Sequence, residues 1–262
     1  MYKRYVVSNQ RLQSFFPSII MFLFIVLMLN NQPGYAQGSF AFGVSGGYTD
    51  FAMKDVNNDL HDTYDFLIDE GFPAQGAVNV SGGFLFTANV MYKPNRLSYG
   101  LVLHVLSSKG NVGYRDATGV IEEMYTAKSI EVEAAARYMY PLNKNIALFG
   151  QLGAGYGSAT GTHFSHFEIF DDQQYTIRAD DDVSGGYFAG HVQAGVEFRF
   201  RPFSFGVYSG YRFANAGALM GPHVYNGITY INSTIKNMNG SDIDFDYSGV
   251  MVGFFVTYEF AL

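Results

Sequence analysis

The stretch from Tyr247 to Leu262 limits the fold more than any other. Val252, Phe254, Val256, Tyr258, Phe260 and Leu262 share one parity; Met251, Gly253, Phe255, Thr257, Glu259 and Ala261 share the other. A period of two makes a strand with one greasy face and one mixed face.

Seven further segments repeat the pattern: 40–49, 82–92, 97–108, 127–140, 146–157, 186–200 and 203–213. Each is near the ~9–11 residues that a tilted membrane strand needs. The connections alternate in length. Lys93 to Arg96, Pro141 to Asn145 and Arg201-Pro202 are short, whereas 50–81, 109–126, 158–185 and 214–246 are long. Short turns at one end and long loops at the other are the asymmetry of a bacterial barrel. Charge follows the same division. Of the 23 acids, all but Glu131, Glu133, Glu197 and Glu259 fall in the long connections, and the short turns carry Lys93, Arg96, Lys144 and Arg201 without an acid. Those four exceptions lie on the parity opposite the greasy face. Tyr92, Tyr99, Tyr138, Tyr140, Phe198, Phe200, Phe203, Phe205, Tyr258 and Phe260 gather beside the short turns as an aromatic girdle. A lipocalin-like soluble barrel would reverse the parity; mid-strand charges alone fit both arrangements.

The N-terminus reads as an export signal. Lys3, Arg4 and Arg11 precede an apolar run from Phe15 to Leu29, and Gly34-Tyr35-Ala36 is a small-x-small cleavage site. The core of that run, Ile19 to Leu29, is shorter than the ~20 residues of a membrane-spanning helix. The expected organisation is a cleaved signal peptide over 1–36 and one barrel domain over 37–262. Loss of Lys3, Arg4 and Arg11 makes the formal charge of −7 three units more negative, which leaves no basic surface for nucleic acid. The chain has no cysteine, which excludes disulfides, thiolate metal sites and a lipid-anchored N-terminus.

With its aromatic terminal strand, eight alternating segments and asymmetric connections, the chain resembles the outer-membrane protein β-barrel family, of the small OmpA- and OmpX-like type. The resemblance implies an all-β, closed antiparallel up-and-down transmembrane barrel of eight strands in a Gram-negative outer membrane. It implies contact with outer-membrane lipid, lipopolysaccharide and the barrel-assembly machinery, and leaves room for an extracellular or envelope protein as partner. The expected role is structural, adhesive or surface-binding, without an enzyme activity, a cofactor or a bound metal. A small gated channel or a lipid A-modifying enzyme is the alternative, although the serine–histidine motif of lipid A deacylases is not visible. A ten-stranded count would need an extra hairpin, best placed at Phe164 to Phe170 and Gln174 to Arg178.

Within the first long connection, Val56, Leu60, Tyr64 and Leu67 recur at helical spacing behind Asp55, a candidate N-cap. This predicts a short helix in the first external loop, with its acids largely off the apolar stripe. The inward parity collects His104, Glu131, Glu133, Arg137, His191, Glu197, Arg199, Arg212 and Glu259. Eight strands leave an interior just wide enough for side chains, and buried charges there must be paired. These nine residues are therefore expected to form a salt-bridged plug, with a proton path through His104 and His191 as the functional alternative. In the third long connection, His163 and His166 with Glu168, Asp171 and Asp172 are candidate metal ligands, and Asp180, Asp181 and Asp182 candidate Ca²⁺ ligands. Ser165 with His163 is a weaker hydrolytic pair. A solvated acidic loop accounts for all of these without chemistry. Lys128, with Lys109 and Arg115, is placed to meet lipopolysaccharide phosphates.

Overall fold

The structure, a computed structural model, describes residues 38–116, 119–170, 175–237 and 239–261. The expected signal peptide, 1–36, lies outside the described residues, as do Asp171 and Asp172. In chain order the elements are β1 (Ser39–Asp50), α1 (Lys54–Asp69), β2 (Gln75–Val78), β3 (Gly82–Lys93), β4 (Leu97–Arg115), β5 (Gly119–Pro141) and β6 (Ile146–Ile169). They continue with β7 (Tyr175–Phe200), β8 (Phe203–Phe213), β9 (Asn215–Ala218), β10 (Met220–Tyr225), β11 (Ile228–Thr234), β12 (Asp244–Asp246) and β13 (Gly249–Ala261).

Eight of these strands pair antiparallel in a ring: β1, β3, β4, β5, β6, β7, β8 and β13, with β13 returning to β1. No strand of the ring has a free edge along that length, which removes the unpaired backbone groups an open sheet would present. Outward side chains alternate with inward ones throughout. Phe42, Phe84, Phe86, Ile130, Leu152, Phe188, Phe205, Val207 and Phe254 are all exposed on the outside. Inside are Glu131, Glu133, Arg137, His191, Glu197 and Arg212, all buried.

Strand lengths divide the ring into two halves. β1, β3, β8 and β13 have 12, 12, 11 and 13 residues. β4 to β7 have 19, 23, 24 and 26. The extra length of β4 to β7 rises as a free-standing sheet, the crown, which β2 extends beyond β4, and β10 and β11 beyond β7. Two expected loops are therefore strand. Residues 109–115 and 120–126 continue the β4–β5 pairing to Arg115↔Val120, and 158–169 and 175–185 continue the β6–β7 pairing to Ile169↔Tyr175. The extra hairpin expected at Phe164 to Phe170 and Gln174 to Arg178 falls, over its described residues, at the ends of β6 and β7 and adds no strand to the ring.

Along these long strands the apolar face changes sides. On the outside of β4 the greasy row ends at Val105 and gives way to Ser107 and Lys109; on β5 it ends at Ile130 and gives way to Lys128 and Thr126. On β6 Tyr156 gives way to Ser158, Thr160 and Thr162, and on β7 Phe188 gives way to Ser184 and Asp182. The ends align in register: Val105 pairs with Ile130, and Tyr156 with Phe188. Beyond that line the inward parity becomes the greasy one, with Val112, Tyr125 and Val183 buried.

The crown closes its apolar face with two covers. α1 lays Val56 and Leu60 against it, with Tyr64 packed alongside and Leu67 also buried. The chain between β8 and β13 adds Leu219, Ile235, Ile243 and Phe245. The helix begins one residue before the expected cap. Met53, at φ 29° and fully buried, is the N-cap and makes no side-chain cap bond, while Asp55 sits in the first turn. Burial of Met53 fixes the entry of the chain, and Asp55 contributes through its charge near the helix N-terminus instead.

Candidate functional site: a polar ladder inside the ring and a carboxylate–histidine latch above it

The polar interior is built in three tiers. Nearest the crown, Arg212 of β8 is fully buried against Glu131 of β5. Its Nε donates to Glu131 Oε2 at 2.8 Å, its Nη2 donates to Glu131 Oε1, and its Nη1 donates to the Tyr247 carbonyl at 2.6 Å. Tyr187 also donates to Glu131 and lies against Ser129. Every nitrogen of the guanidinium thus has an acceptor, which is what a buried ion pair needs to offset its desolvation. Tyr187 reaches Glu131 across β6 because Gly157 stands between them; a Cβ there would lie 2.6 Å from Tyr187 Cζ and 2.8 Å from Glu131 Cγ.

One turn of the ladder lower, Glu133 of β5 meets His191 of β7 through Nδ1, again across a glycine, Gly153, where a Cβ would clash with both. His104 of β4 points its Nε2 at the same carboxylate, 3.9 Å from Oε2, and is held at Nδ1 by Thr87 Oγ1 at 2.9 Å. Gln151 links this tier to the third. It accepts from Arg137 Nε at 2.7 Å and turns its Nε2 to His191 Nε2 at 2.8 Å. Arg137 stacks over Phe149 at 4.6 Å and lies 3.9 Å from Glu197. Arg199 donates to Glu197 at 3.1 Å.

Seven of the nine expected plug residues are thus buried within the ring. Arg199 and Glu259 are the exceptions, each with a third of its side chain exposed. They line a mouth of about 350 Å³ at the short-turn end, with Lys93, Arg96 and Arg201. Glu259 accepts from Ser39 at 2.6 Å and pairs with Lys93 at 3.6 Å, so it neutralises the rim instead of plugging the interior. The outer wall above this mouth carries a belt of ring contacts: Phe40–Tyr92, Tyr92–Tyr99, Phe200–Phe205, Phe203–Tyr258 and Tyr258–Phe260, at 4.4 to 5.6 Å.

The expected loop sites do not assemble. His163 points into the crown and His166 out of it, since three residues along a strand reverse the face. Asp181 points in, Asp180 pairs outside with Arg178 at 2.8 Å, and Asp182 is exposed, so the three carboxylates do not converge. Both ring nitrogens of His163 are taken by carboxylates, which leaves none to activate Ser165. Lys109 and Lys128 flank the end of the greasy band on adjacent strands, and both are exposed. Arg115 lies at the far tip of β4, six residues on, or roughly 20 Å at strand rise, and does not join them.

What forms instead is a latch. His163 of β6 bridges Glu123 of β5 at 2.9 Å and Asp181 of β7 at 2.9 Å, under a stacked Tyr125 ring at 4.5 Å. α1 joins from one side: Thr63 donates to Glu123 at 2.5 Å, and Tyr125 donates to Asp59 at 2.6 Å. His223 of β10 joins from the other, 2.6 Å from Asp181. Burial lowers the His163 pKa, but the hydrogen bonds to Asp181 and Glu123 outweigh it and hold the group at about 9. Burial first, then the Glu123 and Asp59 carboxylates, raise Tyr125 well above its usual value. The sequence singles out His163 and Asp181, but as members of separate candidate sites, and gives no sign of Glu123 or Asp59. Asp59, off the apolar stripe, and Glu123, in an acidic run, gave no signal that either is buried.

No family model matches the chain, and no curated protein does. Solved structures do match. Ail, the attachment invasion locus protein of Yersinia pestis, in complex with the heparin analogue sucrose octasulfate, is 14% identical with a TM-score of 0.34, over 86% of this chain and all of Ail. Neisserial surface protein A is 11% identical with a TM-score of 0.36, over 86% of this chain and all of its own. The outer-membrane protease OmpT of Escherichia coli is 11% identical with a TM-score of 0.25, over 88% of this chain and 99% of its own. Among these, Ail and the neisserial protein are small outer-membrane β-barrels. Likeness at these scores transfers no residue role.

Proposed function

We propose that the chain is an integral outer-membrane protein whose eight-stranded ring is a closed transmembrane barrel, and that its crown is a non-enzymatic binding surface on the cell exterior. The observation that carries this reading is the line where the outward face changes from Val105, Ile130, Tyr156 and Phe188 to lysine, serine, threonine and aspartate. Below the line the apolar wall is about the height of a tilted membrane strand, and an aromatic belt borders its other edge. A lipocalin-like barrel would carry these side chains inside. Lys109 and Lys128 sit where lipid phosphates would lie.

The crown supports a partner of protein character. Its β10–β11 hairpin ends the sheet with Ile228, Tyr230 and Ile231 exposed, Ile231 at 81%. An exposed edge with apolar side chains is suited to strand addition. The acids on the outer face, Glu122, Asp180 and Asp182, repel polyanions. The filled ladder of Arg212, Glu131, Glu133 and Arg137 argues against the channel alternative, and bilayers holding the refolded protein should pass no steady current.

The chain has no cysteine of its own, so single cysteines report topology cleanly. Tyr230→Cys and Glu122→Cys should react with a membrane-impermeant maleimide on intact cells, whereas Lys144→Cys should react only after lysis. The opposite pattern, or recovery of the protein outside the outer-membrane fraction, would sink the proposal. Ile231→Lys should weaken cell or matrix attachment without changing the amount of folded protein.

A further inference from the structure

We propose that the ring interior contains a binding site for a divalent cation of the zinc class, formed by His104, Glu133 and His191. The three residues come from β4, β5 and β7, and one donor atom from each lies within 4.8 Å of the others. Two imidazoles and one carboxylate are a donor set that zinc accepts. Glu197 Oε2 in the lowest tier also lacks a hydrogen bond, but in this cluster two of the three residues keep orphan atoms. His104 Nε2 and Glu133 Oε1 make no hydrogen bond, although the residues are 2% and 0% exposed. Buried polar atoms are rarely left so, and His104 Nε2, turned toward Glu133 without a hydrogen bond, points to a missing partner.

The surroundings hold the donors in place. Thr87 fixes His104 from its far nitrogen. Gly153 on the intervening strand leaves room for His191 and Glu133 to approach. A cavity of about 10 Å³ adjoins His104 between Thr87, Gln151 and Tyr208. Glu133 Oε1, binding alongside Oε2, would supply a fourth donor. Metal–donor lengths of about 2.0–2.2 Å place tetrahedral donors roughly 3.3 Å apart. The 3.9 Å between His104 Nε2 and Glu133 Oε2 is therefore within side-chain adjustment of a bound geometry. The cation takes the place of the proton between His191 Nδ1 and Glu133, and that proton moves to Nε2, so the ring stays neutral.

Gln151 sharpens the inference. Arg137 occupies its oxygen, so its Nε2 faces His191 Nε2. A metal-bound neutral His191 carries a proton at Nε2 and needs an acceptor there. The Gln151 oxygen cannot accept there without giving up its bond from Arg137, whereas Gln151→Glu offers an acceptor to both at once.

The test uses the full mature chain refolded in detergent with Zn²⁺, dialysed against metal-free buffer and assayed for bound metal, with heat-dependent gel mobility as the control for folding. The expectation is about one zinc per folded chain. His104→Gln, Glu133→Gln and His191→Gln should each lose at least about tenfold in affinity, His163→Gln in the crown should lose none, and Gln151→Glu should gain about 10–100-fold. Folded protein without zinc, or zinc retained equally by all three ligand variants, overturns the site. If those variants fail to fold, Co²⁺ substitution of the unaltered chain decides. Intense tetrahedral absorption bands support the site, and their absence overturns it.

Discussion

The crown continues four of the ring's eight strands, β4 to β7, turned inside out. In the ring, Leu103, Val105, Ile130 and Leu152 face outward over an interior of Glu131, Glu133 and Arg212; in the crown, Val112, Tyr125 and Val183 face inward beneath Lys128, Thr160 and Asp182. The backbone is continuous and the pleat never slips, so neither register nor secondary structure marks the boundary. On the proposed reading only the identity of the outer solvent changes. A ring in hydrocarbon must put its charges inside and pair them, whereas a sheet in water must hide its apolar face; α1 and the β9–β12 segment cover the crown, and among the described residues nothing covers the ring. The glycines follow the same logic. Gly153 and Gly157 leave the space through which charged groups of β5 and β7 meet across β6.

The sharpest break in that comparison is Arg212→Ala. It strands Glu131 in the ring, and the expected loss is about 3–5 kcal/mol, read as a fall in the urea midpoint of the refolded protein. Arg212→Met combined with Glu131→Leu should recover most of it, because the desolvation of both charges disappears. A single substitution costing less than about 1 kcal/mol would mean that charge pairing does not hold the ring together. The matching change in the crown is Leu60→Ala, which removes a fully buried side chain at an expected cost of about 2–5 kcal/mol. Its effect should be local. Hydrogen exchange should quicken in α1 and the tips of β4 to β7, while amides of β1, β8 and β13 keep their protection.

The two regions were also unequally legible in the sequence. All eight ring strands could be marked because each keeps one greasy parity, and seven of the nine interior residues followed from the other parity. The crown was read as loops. A greasy row on odd residues of β4 stops at Val105 and resumes on even ones at Val112 and Tyr114; to a search for one continuous parity, that phase change looks like the end of a strand. The acids of 109–126 and 158–185 deepened the impression, since on the outer face of a sheet they look the same as in a solvated loop. Contacts across an intervening strand, such as Glu133 to His191, depend on register and on Gly153, and no local pattern encodes them. Arg199 and Glu259 shared the right parity but sit at its open end, where parity no longer implies burial.

The next test moves along the outer face. Phe254→Arg places a charge in the apolar wall and should cost about 2–4 kcal/mol in a bilayer if the wall lies in lipid. Thr160→Arg, on the outer face of β6 beyond the band, should stay within about 0.5 kcal/mol. Equal effects at both positions would remove the distinction between the two regions and favour a wholly soluble barrel.

The smallest expected effect concerns pH and separates the crown's latch from the ring's ladder. His163 is held at about 9 in the folded chain, above the ~6.5 of an unperturbed histidine. A group whose folded pKa is raised stabilises fully below its unfolded pKa, and that contribution fades as pH rises through the folded value. Raising the pH from neutrality through about 9 should therefore loosen the crown, by on the order of 2–3 kcal/mol at the linkage limit. Exchange at α1 and β10 should report it first, since Glu123 and Asp181, the two partners of His163, also hold Thr63 and His223. His163→Gln should lower crown stability at neutral pH and flatten the dependence above it, leaving ring amides unchanged. Loosening of the ring over the same interval would instead place the titrating group in the interior ladder and remove His163 as the cause.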